Sequence, residues 1–251
     1  MKIYFAGLSG SNYHIALQEA DVRRCLLSYY YWLIDKRERR KINFSDIFID
    51  SGAFSAWSQG IKINLYEYID FVKEYLDKIT VYSNLDVIGD ANNTLKNQHE
   101  MQKSGLSPLP VFHINENYKC LDEYCKNYPY IALGGMVGKT RRQKDNFLHN
   151  CFTVIKKYFP IRIHGFALTD IELLKKYPFY SIDTTAWLQA VQYKNLTSKD
   201  LIRNKKKNIL SEVMFNCQIT LERLKLPILN MLKLEQDLTN LWKMRGINWN
   251  D

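Results

Sequence analysis

The sequence predicts an α/β protein, a (β/α)8 TIM-like barrel with a C-terminal helical extension, and three observations carry that expectation. Short β-branched or aromatic runs alternate with longer helical patterns, the rhythm of parallel strands joined by crossover helices. Chemistry-bearing residues gather at the ends of several of those runs, as barrel enzymes require. The 251 residues, 46% of them hydrophobic, suffice for one large core, and barrels commonly fill such a length as a single domain.

The first eight residues hold one lysine and a short apolar run, followed at once by Ser9, Gly10, Ser11 and Asn12. They lack the hydrophobic stretch of an export signal and read as a buried first strand at 3–6. Further strands are expected at 47–49, 79–83, 109–112, 130–133, 161–165 and 179–182. That makes seven, so a barrel needs an eighth that is short or hidden. Between them, Leu65, Tyr68, Ile69, Val72 and Leu76 recur at spacings of three and four and give residues 64–76 one apolar helical face. Residues 121–128, 147–158 and 170–177 behave similarly. The stretch 196–251 differs, being Lys- and Leu-rich, with Leu224, Leu226, Ile228, Leu229, Leu232 and Leu234 crowded around Pro227. The expected division is therefore a barrel over 1–195 and a helical extension over 196–251 packed on it. An open doubly wound sheet that binds a dinucleotide would carry G-x-G-x-x-G after its first strand; Gly7-Leu8-Ser9-Gly10-Ser11 does not supply it.

Lys and Arg number 35 against 26 Asp and Glu, a formal net charge of +9, which tilts the chain toward a polyanionic partner. The excess is local: residues 35–41 carry +3, residues 139–144 carry +4 and residues 194–207 carry +5. An aromatic content of 14% is too high for disorder, and no run approaches the roughly 18 apolar residues of a membrane span. Five cysteines, an odd number without an export signal, point to reduced thiols in a cytoplasm. Cys120 and Cys125 form the one close pair, no second pair follows, and no histidine comes after His164, so zinc and other metal sites are not expected.

Three aspartates terminate apolar runs: Asp50 after Ile47-Phe48-Ile49, Asp86 after Tyr82-Ser83-Asn84-Leu85, and Asp183 after Ser181-Ile182. Taken singly, each reads as a cap for the following helix; together, on a barrel, they point into one mouth. Other run ends add His113, the glycine-rich Gly134-Gly135-Met136-Val137-Gly138, and His164-Gly165. Paired glycines let a planar ligand or a phosphate approach the main chain, and they also serve as a tight turn. Each histidine alone reads as structural, and Met136 alone as core.

The ordered set Asp50-Ser51-Gly52-Ala53-Phe54, Asp86, Leu133-Gly134-Gly135-Met136-Val137-Gly138 and Ser181-Ile182-Asp183 resembles the tRNA-guanine transglycosylase family, over roughly residues 45 to 190. It is most similar to the compact branch that inserts 7-deazaguanines into DNA in some phages and bacterial genomic islands. Two departures favour DNA over tRNA: Ala53 and Ser55 replace the second glycine and the glutamine of D-S-G-G-F-Q. In addition, only Cys217 remains where tRNA-acting members carry a zinc subdomain.

The resemblance implies that Asp183 is the nucleophile, Asp50 the general acid/base and Asp86 the reader of the guanine edge. It further implies base contacts from Ser51, from main-chain N–H groups near Gly134 and Gly135, and from Met136 and His164 stacking on the base. His113 stands where the family often has glutamine. Lys139, Arg141 and Arg142 would contact the nucleic-acid backbone. No cofactor is implied beyond a free 7-deazaguanine base as co-substrate. The implied partners are DNA, with tRNA as the alternative, and accessory DNA-opening proteins; the location is cytoplasmic, in a host if phage-encoded. A catalytically silent nucleic-acid-binding barrel is the alternative outside enzymes, and a hydrolytic glycosidase using the same two carboxylates is a further one.

Overall fold

The computed structural model describes residues 1–8, 13–34, 44–188 and 221–249. Eight strands are present: β1 (Lys2–Phe5), β2 (Arg24–Ser28), β3 (Asp46–Asp50), β4 (Val81–Tyr82), β5 (Val111–His113), β6 (Tyr130–Gly134), β7 (Arg162–Gly165) and β8 (Ser181–Thr184). Seven match the expected runs within a few residues. The hidden one is β2, which passes without a loop into the helix α2 (Tyr29–Ile34). Its continuous run Cys25-Leu26-Leu27-Ser28-Tyr29-Tyr30-Tyr31-Trp32 has no β-branched residue and no turn signal, so its periodicity alone does not separate strand from helix.

All pairings are parallel and the order is β4-β3-β2-β1-β8-β7-β6-β5. This is an all-parallel sheet curled into a half-barrel, with helices packed outside it. The ladder is open between its edge strands β4 and β5, where contact narrows to one isolated bridge between Ser83 and Leu109. There Leu109 N–H donates to the Tyr82 carbonyl at 2.8 Å, and Asn84 N–H donates to the Leu109 carbonyl at 2.9 Å.

Side chains alternate across a strand, so each strand sends one set outward to the helices and one inward. The inner set is a separate apolar cluster of Tyr4, Ala6, Leu26, Phe48, Leu109, Val111 and Ala132, with Val81, Tyr130 and Phe166 packed on it. Two residues further along each strand, on the same face, stand Ser28, Asp50, Ser83, His113, Gly134 and, after Ser181, Asp183. A packed apolar layer thus supports a polar layer at the C-terminal ends of the strands.

Outside the sheet, the crossover helices include α1 (Tyr13–Glu19), α3 (Ala53–Ser58), α4 (Leu65–Glu74), α5 (Ala91–Lys103), α6 (Tyr118–Asn127), α7 (Arg141–Ile155) and α8 (Ile171–Lys176). The helix α4 shows the expected apolar face, burying Tyr68, Ile69, Phe71 and Val72. The last helix, α9 (Leu221–Met244), carries Pro227 inside it and lies against α1, α8 and β1. Leu224, Ile228 and Leu238 join the main core between sheet and helices, and Trp242 Nε1–H donates to the Leu174 carbonyl at 3.0 Å. Glu235 on the same helix accepts the Ile3 N–H at 2.6 Å and pairs with Arg24. This helix therefore shares the core of the sheet; the boundary expected at 195/196 lies outside the described residues. Ile228→Ala is expected to destabilise the whole chain by about 2–5 kcal/mol in urea unfolding, as a fully buried aliphatic does; a loss below about 1 kcal/mol would contradict a shared core.

Cys25, Cys120, Cys125 and Cys151 are free thiols, Cys217 lies outside the described residues, and among those residues no helix is long and apolar enough to cross a membrane.

Candidate active site

Because every strand runs the same way, Asp50, Asp86, His113, Gly134 and Asp183 meet at one edge of the sheet. Asp50 ends β3 and is half-buried; its Oδ2 accepts the Gly52 N–H at 3.0 Å. Gly52 itself sits in the left-handed region at φ 74°, where a Cβ would lie 2.4 Å from both Ser28 Oγ and Tyr30 Cβ, so only glycine fits. Burial pushes the Asp50 carboxyl up to about 8, and the nearby Asp86 and Asp183 push the same way, outweighing the Gly52 N–H and His113. At neutral pH Asp50 is an acid.

Ser51 is fully buried and joins two strand ends. Its N–H donates to Ser83 Oγ at 3.0 Å and its hydroxyl donates to Asp86 Oδ1 at 2.8 Å. The other Asp86 oxygen, Oδ2, lies 3.0 Å from His113 Nε2. Glu116, three residues beyond His113, reaches back to the opposite ring nitrogen at 3.3 Å and to the His113 N–H at 3.1 Å. Burial alone would lower the His113 pKa, but the hydrogen bonds to Asp86 and Glu116 prevail and raise it to about 10. His113 is therefore a cation between two carboxylates.

Asp183 is 8% exposed, and its Oδ1 accepts the Ala167 N–H at 2.8 Å. Ala167 holds that N–H in place from φ 50°, a strained conformation for a residue with a Cβ, of the kind that clusters at functional sites. His164 Nε2 lies 3.4 Å from the same Asp183 oxygen, and its Nδ1 bonds Ser181 Oγ at 2.7 Å. Burial lowers the His164 pKa despite Asp183, so the ring is neutral at pH 7.

Several expected contacts turn out differently. Met136 and His164 have no exposed surface, and the His164 ring packs against Phe48 and Phe166 at centroid distances of 4.5 and 4.6 Å. Neither offers a face to a base; His164 instead lies beneath Asp183. Gly134 clears the way for His113, since a Cβ there would sit 2.9 Å from the ring, and Gly135 makes the turn that follows at φ 77°. Arg141 pairs with Asp170, whereas Lys139 and Arg142 remain at the start of α7 beyond β6. The basic stretches 35–41 and 194–207 lie outside the described residues. Glu116 and Ser83 escape the sequence reading, although His113-Ile114-Asn115-Glu116 places a carboxylate one turn past a histidine.

No family model matches the chain, and no curated protein matches it. A cleft of about 1050 Å³ opens at Asp86, the one carboxylate of the site that lines it, and is bounded among others by Trp57, Lys62, Tyr66 and Leu85. Trp57 and Tyr66 are 59% and 64% exposed, unusual for such large rings, while Asp86 in the same lining is 8% exposed.

Proposed function

We propose that this chain is a base-exchanging transglycosylase that replaces guanine in DNA by a 7-deazaguanine base through a covalent aspartyl-glycosyl intermediate. The observation that carries the reading is the pair Asp50 and Asp183 in one polar layer, with Asp50 held as an acid beside the Asp183 carboxylate. A carboxyl group that keeps its proton, set in one layer with a second carboxyl group, is what cleavage of a glycosidic bond needs.

In this reading the barrel is a complete (β/α)8 barrel, joined through the Ser83 and Leu109 bridge. Asp183 Oδ1 is held by Ala167 N–H, and Oδ2 attacks C1′ of the deoxyguanosine. As the C1′–N9 bond breaks, the proton of Asp50 passes to the departing guanine. The incoming base then attacks C1′, expels the Asp183 carboxylate and returns a proton to Asp50. Two inversions give net retention. Asp86, an acceptor only, takes the adjacent N1–H and exocyclic N–H of guanine together, a pair of donors that adenine, whose N1 is an acceptor, does not present.

The depth of the carboxylates supports a base taken out of its stack, because a base inside a duplex does not reach them. The cleft holds more than one base, and the exposed rings of Trp57 and Tyr66 suit the stacking of unpaired neighbours. At the start of α7, Lys139 and Arg142 oppose the helix dipole, an arrangement that favours a bound polyanion. The resemblance over Asp50-Ser51-Gly52 and Ser181-Ile182-Asp183 favours the same chemistry.

DNA and tRNA from cells that express the chain and make a 7-deazaguanine base are digested to nucleosides and analysed by mass spectrometry. The modified deoxynucleoside is expected in DNA; finding it only in tRNA shifts the substrate, and finding it in neither overturns the reading.

A further inference from the structure

Glu116 has no role in the chemistry described above, yet its carboxylate is aimed into the site. Its side chain is 8% exposed, and it holds both His113 N–H, at 3.1 Å, and His113 Nδ1, at 3.3 Å. The intervening Asn115 adopts φ 75°, a left-handed conformation that asparagine tolerates, and this turns Glu116 back onto the ring. On the far side, His113 Nε2 meets Asp86 Oδ2 at 3.0 Å, and Asp86 Oδ1 meets the Ser51 hydroxyl at 2.8 Å. A ring between two carboxylates is satisfied on both sides only when both nitrogens carry hydrogen, because a carboxylate accepts and does not donate.

We infer that Glu116 is a positioning residue of this site: by binding His113 Nδ1–H it keeps the ring a double donor, so that Nε2–H stays on Asp86 and holds that carboxylate in place for the N–H edge of a base. The inference rests on the proposed role of Asp86 as the reader of that edge. Other groups act on the chain of contacts. Asp50 is close enough to feel His113, Asp86 and Asp183, while Cys120 and Tyr124 on α6 lie within electrostatic reach of Glu116. Gly134 leaves the room the ring occupies. None of these supplies a second acceptor to Nδ1. Glu116→Gln removes the charge and keeps the shape. Its amide oxygen can accept from Nδ1–H, and a neutral ring in that tautomer turns an unprotonated Nε2 toward Asp86 and no longer donates to it.

The test uses the full chain with ¹⁵N-labelled histidine, following the ring nitrogens by NMR from pH 6 to 10.5 and assigning His113 by its loss in His113→Gln. The wild type is expected to be a cation at pH 7, and Glu116→Gln to lower the His113 midpoint by about one to three pH units. Guanine binding by calorimetry is expected to weaken about ten- to hundredfold above the new midpoint, with Glu116→Asp restoring part of both. A neutral wild-type ring at pH 7, or a midpoint that Glu116→Gln does not move, overturns the inference. A moved midpoint with unchanged guanine affinity overturns the link to Asp86. If the midpoint moves while the wild type binds no guanine at all, Glu116 keeps its role toward His113 and Asp86, and it is the transglycosylase reading that falls.

Discussion

Asp183→Asn is expected to abolish the covalent adduct that the wild type forms with guanine-containing single-stranded DNA when a poor second base is supplied. An amide nitrogen carries no lone pair able to attack C1′, and the amide oxygen is a far weaker nucleophile than a carboxylate oxygen. Loss of a nucleophile that acts in concert with its partners lowers turnover by about 10⁴- to 10⁶-fold. The substitution keeps the shape of the side chain and its acceptor for Ala167 N–H, so the fold should hold and a lost adduct reports on chemistry. Denaturing electrophoresis and intact mass show the adduct directly. Wild-type protein that forms none with either DNA or tRNA removes Asp183 from the role of nucleophile, as does an adduct that persists in Asp183→Asn.

Asp50→Asn should separate activity from stability. Asp50 titrates at about 8, so it can donate a proton to the leaving guanine below that pH and loses the ability above it. Single-turnover adduct formation by the wild type should therefore fall about tenfold per pH unit above pH 8. Asp50→Asn, which has no proton to give, should be slower by about 10²- to 10⁴-fold and lack that limb.

The sign for stability is opposite. A carboxyl whose pKa rises from 3.8 unfolded to about 8 folded makes the native state bind the extra proton between those values. Its presence therefore lowers stability progressively as pH rises from 4 to 8. Removing the ionisable group removes that loss, so Asp50→Asn should melt at a higher temperature than the wild type at pH 8. A variant that is as active as the wild type, or one that melts lower at pH 8, would show that Asp50 is neither the acid nor held against its ionisation.

Much of the site could be read along the chain because strand geometry is local. Alternation with period two carries Phe48 to Asp50 and Ser181 to Asp183, so an apolar run ending in an aspartate already says that the acid stands one layer above packed residues. The same locality makes the face of α4 legible from Leu65, Tyr68, Ile69 and Val72. Where local signals conflict, the reading fails. The leucines and tyrosines of β2 and α2 form one run interrupted only by Ser28, and only pairing with β1 and β3 makes its first half a strand.

The parallel α/β alternation and the residue types at the strand ends follow from local pattern along the chain. Their partners are set by folding. Ser51 meets Asp86 across 35 positions, and His113 is charged because folding places it between Asp86 and Glu116. Met136 and His164 likewise went into the interior. The physical reason is range: periodicity is set by neighbours two to four residues apart, whereas burial, charge pairing and proton affinity depend on atoms that meet only when the sheet curls.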